Sequence, residues 1–212
     1  AVRCVTDPEI PPNHGCYRPI TITAPEGTIV NPDPPAAVVG GNLETSQRVT
    51  DVVLGAFAEV LPESVVAGSQ GTMNNVTFGG EDPRSGDPYA FYETQGGGFG
   101  GRAGKDGLDG VHVHMSNTMN TPAEVLETAY PLQVARYEFR EDSGGAGEFR
   151  GGLGIRRDIT VRDHTATFSL LADRHTHHPY GLLGGTAGSS GSEVSISPNG
   201  GTKRIPQKST PK

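Results

Sequence analysis

Residues 89–130 read YAFYETQGGGFGGRAGKDGLDGVHVHMSNTMNTPAEVLETAY, and the fold turns on what this stretch becomes. A strand-like aromatic run, Tyr89 to Thr94, enters a segment in which Gly96, Gly97, Gly98, Gly100 and Gly101 leave room for little else. Glycines at this density mean that backbone lies close to a neighbour, or takes positive φ repeatedly. The neighbour is either a ligand or another part of the protein. Gly96, Gly98 and Gly101 satisfy G-x-G-x-x-G, but a dinucleotide site needs a helix next, to aim its N-terminus at pyrophosphate. Gly104, Gly107 and Gly110 follow instead, which excludes it. Gly104-Lys105 is followed by Asp106 and not by Ser or Thr, so a magnesium-bearing phosphate loop is excluded too. What is left is a loop presenting Arg102, Lys105, Asp106 and Asp109, either for binding or purely structural.

His112 and His114 stand two apart on an expected strand and would share a side. That spacing suits a metal, but no third ligand can be named, so no metal site is assigned; hydrogen-bonded structural histidines are the plainer reading. Asn117 to Asn120 form a polar turn. Thr121-Pro122-Ala123-Glu124 has the form of a capping box with proline at the first helical position, opening a helix over about 122–130 that Pro131 ends. Glu124 is then a cap and not a general base.

Upstream, the first 41 residues are proline-rich, with a short strand expected at Ile20 and Ile22, and read as an extended segment that wraps over a neighbouring surface. A helix is expected over about 43–61. Val49, Val53, Phe57 and Val60 recur at helical spacing and are assigned to the core, with Asn42 as N-cap and Glu44 in the first turn. Ser69, Gln70, Thr72, Asn74 and Asn75 either line a polar pocket or satisfy turn backbone.

Downstream of Pro131 the period becomes two. Ala135, Tyr137 and Phe139, then Ile155, Ile159 and Val161, then Ala166, Phe168 and Leu170, and more weakly Val194 and Ile196, predict one antiparallel sheet with one face buried. Arg150 sits in a glycine-rich connection, and His175, His177 and His178 fall in a loop. The fold class is therefore α+β, mostly antiparallel sheet with glycine-rich loops and two helices. It is read as a single region, with 1–41 extended, 42–130 helix plus glycine loop, and 131–212 sheet.

Composition narrows the function. The 212 residues carry a formal net charge of -7 with both signs interspersed, which gives no nucleic-acid surface and no basic stripe for membranes. Hydrophobic residues are only 33%, a shortfall that the 31 glycines largely explain. Cys4 and Cys16 are too few for a disulfide scaffold, and a reducing cytoplasm is the expected compartment.

Taken in order, a series of blocks resembles the hydantoinase B / oxoprolinase family. They include Pro12–Ile20, Ala24–Pro32, Val39–Ser46, Gly68–Asn75, Tyr92–Thr94 with the glycine loop, Asn117–Pro122, Asp142–Gly147, Phe149–Gly154, and Asp173-Arg174 with Gly181. The resemblance implies a part of an ATP-dependent hydrolase of cyclic amides such as 5-oxoproline or hydantoins. An A-type partner would bind ATP and magnesium and phosphorylate the amide oxygen. Part of a ketone carboxylase and a non-catalytic assembly module are the alternatives. Family chains are longer, and their N-terminal half carries the residues for a manganese or zinc site; this sequence is expected to be a C-terminal-half piece, inactive alone. Catalytic residues cannot be named from the sequence. Gly96, Gly97, Gly98, Gly100, Arg102, Asp106, His112, His114, Asn117 and Asn120 are the candidates for touching substrate or partner.

Overall fold

Residues 1–210 are described by the structure, a computed structural model. The helices are α1 (Val2–Thr6), α2 (Ser46–Ala58) and α3 (Ala123–Ala129). The strands are β1 (Asn75–Glu81), β2 (Pro88–Thr94), β3 (Leu132–Phe139), β4 (Ile155–Val161), β5 (Ala166–Leu171), β6 (Glu193–Ile196), β7 (Thr202–Ile205) and β8 (Lys208–Ser209). The class is α+β with wholly antiparallel pairing, as expected.

The strands do not make one C-terminal sheet. β5 leaves β4 and pairs with β1 in a four-stranded sheet of order β2-β1-β5-β8, while β3-β4 and β6-β7 are separate hairpins. The cause is a cross-strand match that the local pattern hides. Phe78 lies opposite Phe91 on one side and Phe168 on the other, with the Phe78 and Phe168 rings 4.9 Å apart. Leu126 of α3 and Leu132 of β3 close over this aromatic row, and that cluster is the main core. A second, smaller cluster joins Val76, Leu170, Ala172 and Ile205. A register break between Val134 and Arg136 turns the end of β3 outward and leaves Phe139 54% exposed.

Helix α2 departs from the expectation. Of the predicted stripe, Val49 and Val60 (just beyond the helix end) are exposed and Val53 and Phe57 are only half-buried, while Gln47, Asp51 and Leu54 are buried. A π-helical turn, Gly41–Thr45, precedes α2 and buries Glu44 instead of presenting it at a helix start. The surface that α2 packs against is made of backbone groups at Gly71, Met73 and Val113, which call for polar partners. Gln47 Nε2 donates to the Val113 carbonyl (3.1 Å), and Glu44 Oε1 accepts from Met73 N (3.0 Å) and Asn75 Nδ2 (2.8 Å).

The capping box also fails to form. The Thr121 amide donates to the Glu93 carboxylate, Arg157 Nη2 donates to the Thr121 carbonyl (2.8 Å), and α3 has no side-chain cap. Glu93 and Arg157 form a buried ion pair, 3% and 0% exposed, and this stronger demand takes the Thr121 backbone out of a local cap. Residues 1–40 lie almost entirely exposed, with Ile22 and Val39 more than four-fifths so, and no strand at Ile20–Ile22. Cys4 and Cys16 are free thiols. Among the described residues no helix is long and apolar enough to cross a membrane.

The glycine stretches pack on one another. Gly97 exchanges backbone hydrogen bonds with Val111 (2.9 and 2.7 Å), Phe99 N donates to Leu108 O (2.9 Å), and Gly152 N donates to Phe99 O (2.9 Å). On the other side Gln70 N donates to Gly98 O (2.8 Å) and Ala67 N to Gly101 O (2.9 Å). The neighbour that the glycines wait for is therefore protein backbone. A Cβ on Gly98 would lie 2.0 Å from the Gly152 carbonyl oxygen, and one on Gly100 1.9 Å from that of Ala67. Gly98→Ala and Gly100→Ala should each destabilise the fold by about 3 kcal/mol or lower the yield of folded protein, since neither clash can be relieved by a rotamer. Gly41→Ala, where a Cβ meets nothing within 4 Å, should change stability by less than about 1 kcal/mol. Urea denaturation of the three variants checks this.

Candidate functional site

A cavity of about 340 Å³ opens between three glycine-rich walls: Gly96–Arg102, Ser143–Phe149 with Gly151–Gly154, and Pro179–Gly191. Its floor is formed by Gly68–Gln70 and by Arg174. The side chains that hold this floor meet at one carboxylate, Asp51.

Asp51 is 3% exposed. His114 Nε2 lies 2.6 Å from its Oδ1; Arg48 Nη2 lies 2.8 Å from Oδ2, and Arg174 Nη2 also binds Oδ2. Burial alone would raise the Asp51 carboxyl, but the His114 hydrogen bond and the charges of Arg174, His114 and Arg48 outweigh it and hold the group below the ordinary aspartate range. Tyr180 donates to the Asp51 carbonyl (3.1 Å); burial, with Asp51 nearby, pushes its phenol up to about 12. Glu44 shows the opposite balance. Burial raises its carboxyl against hydrogen bonds from Thr72 and the Met73 amide, and its Oε2 has no partner.

Arg174 has no donor to spare for a ligand. Its Nε donates to Gln70 O (3.3 Å), Nη1 to His178 O (2.9 Å) and His177 O (3.5 Å), and Nη2 to Asp51 and to Ser69 O (3.2 Å). Five N–H groups meet five acceptors. Arg174 staples α2, the cavity floor and the 177–178 turn together.

The predicted site residues separate. His112 and His114 do not share a strand face, because His114 takes a positive φ of 51° and turns to Asp51. His112 stays half-buried, burial holding its imidazole below the ordinary histidine range, and its Nε2 is unpartnered. Asn120 clasps the start of the glycine loop, accepting from Gly96 N (3.2 Å), while Asn117 is exposed. Asp106 accepts from Arg150 N (2.9 Å), tying the loop to the next wall, and Arg102 is exposed. Arg150 is committed to Asp109 (2.8 Å). Gly96, Gly97, Gly98 and Gly100 do line the cavity. Among the described residues no three His, Cys, Asp or Glu side chains come together as metal ligands. Sequence reasoning missed Asp51, Arg48 and Tyr180. The one available signal was the spacing of Glu44, Gln47 and Asp51, a polar stripe along one helical face.

This layered glycine scaffold with a buried polar floor corresponds to a known class. The sequence model of Hydantoinase B/oxoprolinase matches residues 1–212. The chain belongs to that family. It is 50% identical to an uncharacterised protein of Methanocaldococcus jannaschii over 97% of its own length and 35% of that protein's. It is 44% identical to 5-oxoprolinase 1 of Arabidopsis thaliana, covering 92% of this chain and 14% of that one. The B component of a putative D-/L-hydantoinase from a Pseudomonas species is 40% identical, with 86% and 30% covered. The chain thus spans about a third or less of these relatives. Among solved structures, the ATP-dependent caprolactamase from Pseudomonas jessenii superposes with a TM-score of 0.77 at 27% identity, over 95% of this chain and 36% of that one. Nucleotide-free acetone carboxylase superposes with a TM-score of 0.54 at 26% identity, over 65% and 18%.

Arg174→Lys should cost about 3 kcal/mol in urea denaturation, because three donors cannot serve the four carbonyls and one carboxylate oxygen that five now satisfy. Arg102→Lys, on the exposed loop, should fall within about 0.5 kcal/mol of the parent.

Proposed function

We propose that this chain is part of an ATP-dependent enzyme that opens cyclic amides of the 5-oxoproline, hydantoin or lactam type. The observation that carries the reading is the likeness to the caprolactamase over 95% of the chain, supported by the named 5-oxoprolinase and hydantoinase relatives. An amide carbonyl is a poor electrophile. Transfer of the ATP γ-phosphoryl group to its oxygen makes the carbon easier for water to attack and lets the ring C–N bond break. In this reading an A-type partner binds ATP and magnesium and makes that transfer. A manganese or zinc site, where the enzyme has one, belongs to the part of the longer chain that precedes this region.

The chain's own contribution is architectural at the reacting site. Arg174 and His114 are already paired in the interior, so neither is free to act on a substrate. The glycine walls offer close approach without side chains, and the cavity volume is of a size for a small cyclic molecule. The exposed first 40 residues, the outward Val49 and Val52 of α2 and Val60 just after it support assembly with further protein. The free thiols of Cys4 and Cys16 suit a reducing cytoplasm. The likeness to acetone carboxylase favours carboxylation on the same scaffold as the second reading.

The test is reconstitution. The chain alone, given ATP, magnesium and 5-oxoproline, hydantoin or caprolactam, should release no ADP or ring-opened product. The parent B-type chain with its A-type partner should hydrolyse one of the amides with matching ADP release. Product formation that requires bicarbonate and a ketone would establish the second reading, and turnover by the chain alone would overturn the division of labour.

A further inference from the structure

The cavity walls use their main-chain acceptors and leave donors over. At Gly98, Gly101 and Gly145 the carbonyl accepts from the amide of a neighbouring layer, Gln70, Ala67 and Gly151 respectively (2.8, 2.9 and 2.9 Å). None of the three glycine amides finds an acceptor among the described residues. All three residues line the cavity, and Gly101 and Gly145 are buried. A buried N–H without a partner is rare, so this lining suits a ligand that brings oxygen acceptors.

One side chain adds a donor whose direction is set. Asn74 lines the cavity just before β1 and takes a positive φ of 46°. The Thr72 hydroxyl accepts from the Asn74 and Asp173 amides (3.2 and 3.0 Å). With both lone pairs used it can only donate, and Asn74 Oδ1 accepts (3.3 Å). The carboxamide is therefore oriented with Nδ2 turned away from Thr72. Nδ2 has no partner among the described residues and is not one of the buried unpaired atoms, so it meets open space.

We propose that Asn74 Nδ2 donates to the carbonyl oxygen of the cyclic amide held in this cavity, which makes Asn74 a substrate-binding residue. The inference rests on the function proposed above. An amide oxygen has two lone pairs, so one can accept from Asn74 while the other stays open to the phosphoryl group. The backbone accounts for the residue type. Of the residues most at ease with that φ, glycine brings no donor and aspartate brings only acceptors.

The test is steady-state kinetics of the parent B-type chain with its A-type partner, on whichever of 5-oxoproline, hydantoin or caprolactam it hydrolyses, with Asn74→Gly and Asn74→Asp. Both replacements suit the φ of Asn74, and circular dichroism should find both variants folded. Asn74→Gly removes one neutral hydrogen bond and should raise KM roughly five- to tenfold at nearly unchanged kcat. Asn74→Asp keeps an oxygen toward Thr72 but sets a carboxylate oxygen against the substrate carbonyl, and should lose about tenfold more in kcat/KM. A residue that only shapes the turn gives the reverse order, since aspartate keeps the Thr72 contact that glycine lacks. That reverse order, or a KM within about twofold of the parent in Asn74→Gly, overturns the inference and leaves the proposed function standing. Should Asn74→Gly not fold, Asn74→Asp decides alone: a loss of about a hundredfold establishes the contact, and parent-like kcat/KM overturns it. Absence of amide turnover by the parent pair overturns the proposed function and the inference together.

Discussion

One buried carboxylate carries the arrangement. Asp51 sits in the interior of α2 and meets an imidazole and two guanidinium groups, and each of those groups comes from or grips a different segment. His114 brings the end of the glycine stretch, Arg174 brings the segment after β5, and Arg48 reaches across to the carbonyl of Gly71 (2.8 Å from Nε). A lone carboxylate at 3% exposure would cost several kcal/mol to desolvate. The three partners offset that cost, and removing Asp51 would leave Arg174 and His114 buried without their shared partner. The site is therefore held by a constraint that fails as a unit.

The glycine walls follow from the same economy of space. With α2 and the 174–180 segment fixed, the floor segment Gly68–Gln70 and the loop Gly96–Arg102 lie backbone against backbone, and side chains are excluded. Gly71 illustrates the limit: its φ is +54°, and a Cβ there would fall 1.7 Å from Arg48 Nη2. Ordering so many glycines carries a high entropic cost. It is met by the density of backbone hydrogen bonds between the layers and by Arg174, which satisfies several loop carbonyls at once. The result is a cavity whose shape is set by main chain, while its ionisable floor is already neutralised.

Much of this was legible in the sequence. The period-two runs gave β3, β4, β5 and β6 close to their observed places, and the glycine stretch is a loop with no helix directly after it. Three things were hidden, each for a physical reason. The valines of α2 mark one face as inward, yet a surface of carbonyl oxygens selects Gln47 and Asp51 instead. The Thr121–Glu124 cap is locally sound, but the buried Glu93–Arg157 pair claims the Thr121 backbone. The spacing of His112 and His114 implies a shared face, and the positive φ at His114 parts them, a turn that only the Asp51 contact accounts for. In each case a long-range charge or hydrogen bond overrides a local rule.

The central claim is that the Asp51–Arg174 pair orders the glycine walls, and is more than a local ion pair on α2. The most direct test is native-state hydrogen exchange of the Phe99, Gly107 and Gly152 amides in Asp51→Asn, under conditions where the variant remains folded by circular dichroism. The account predicts that these amides lose protection together with those of α2, although none of them touches Asp51. Loss confined to α2, with the glycine walls as protected as in the parent, would contradict it.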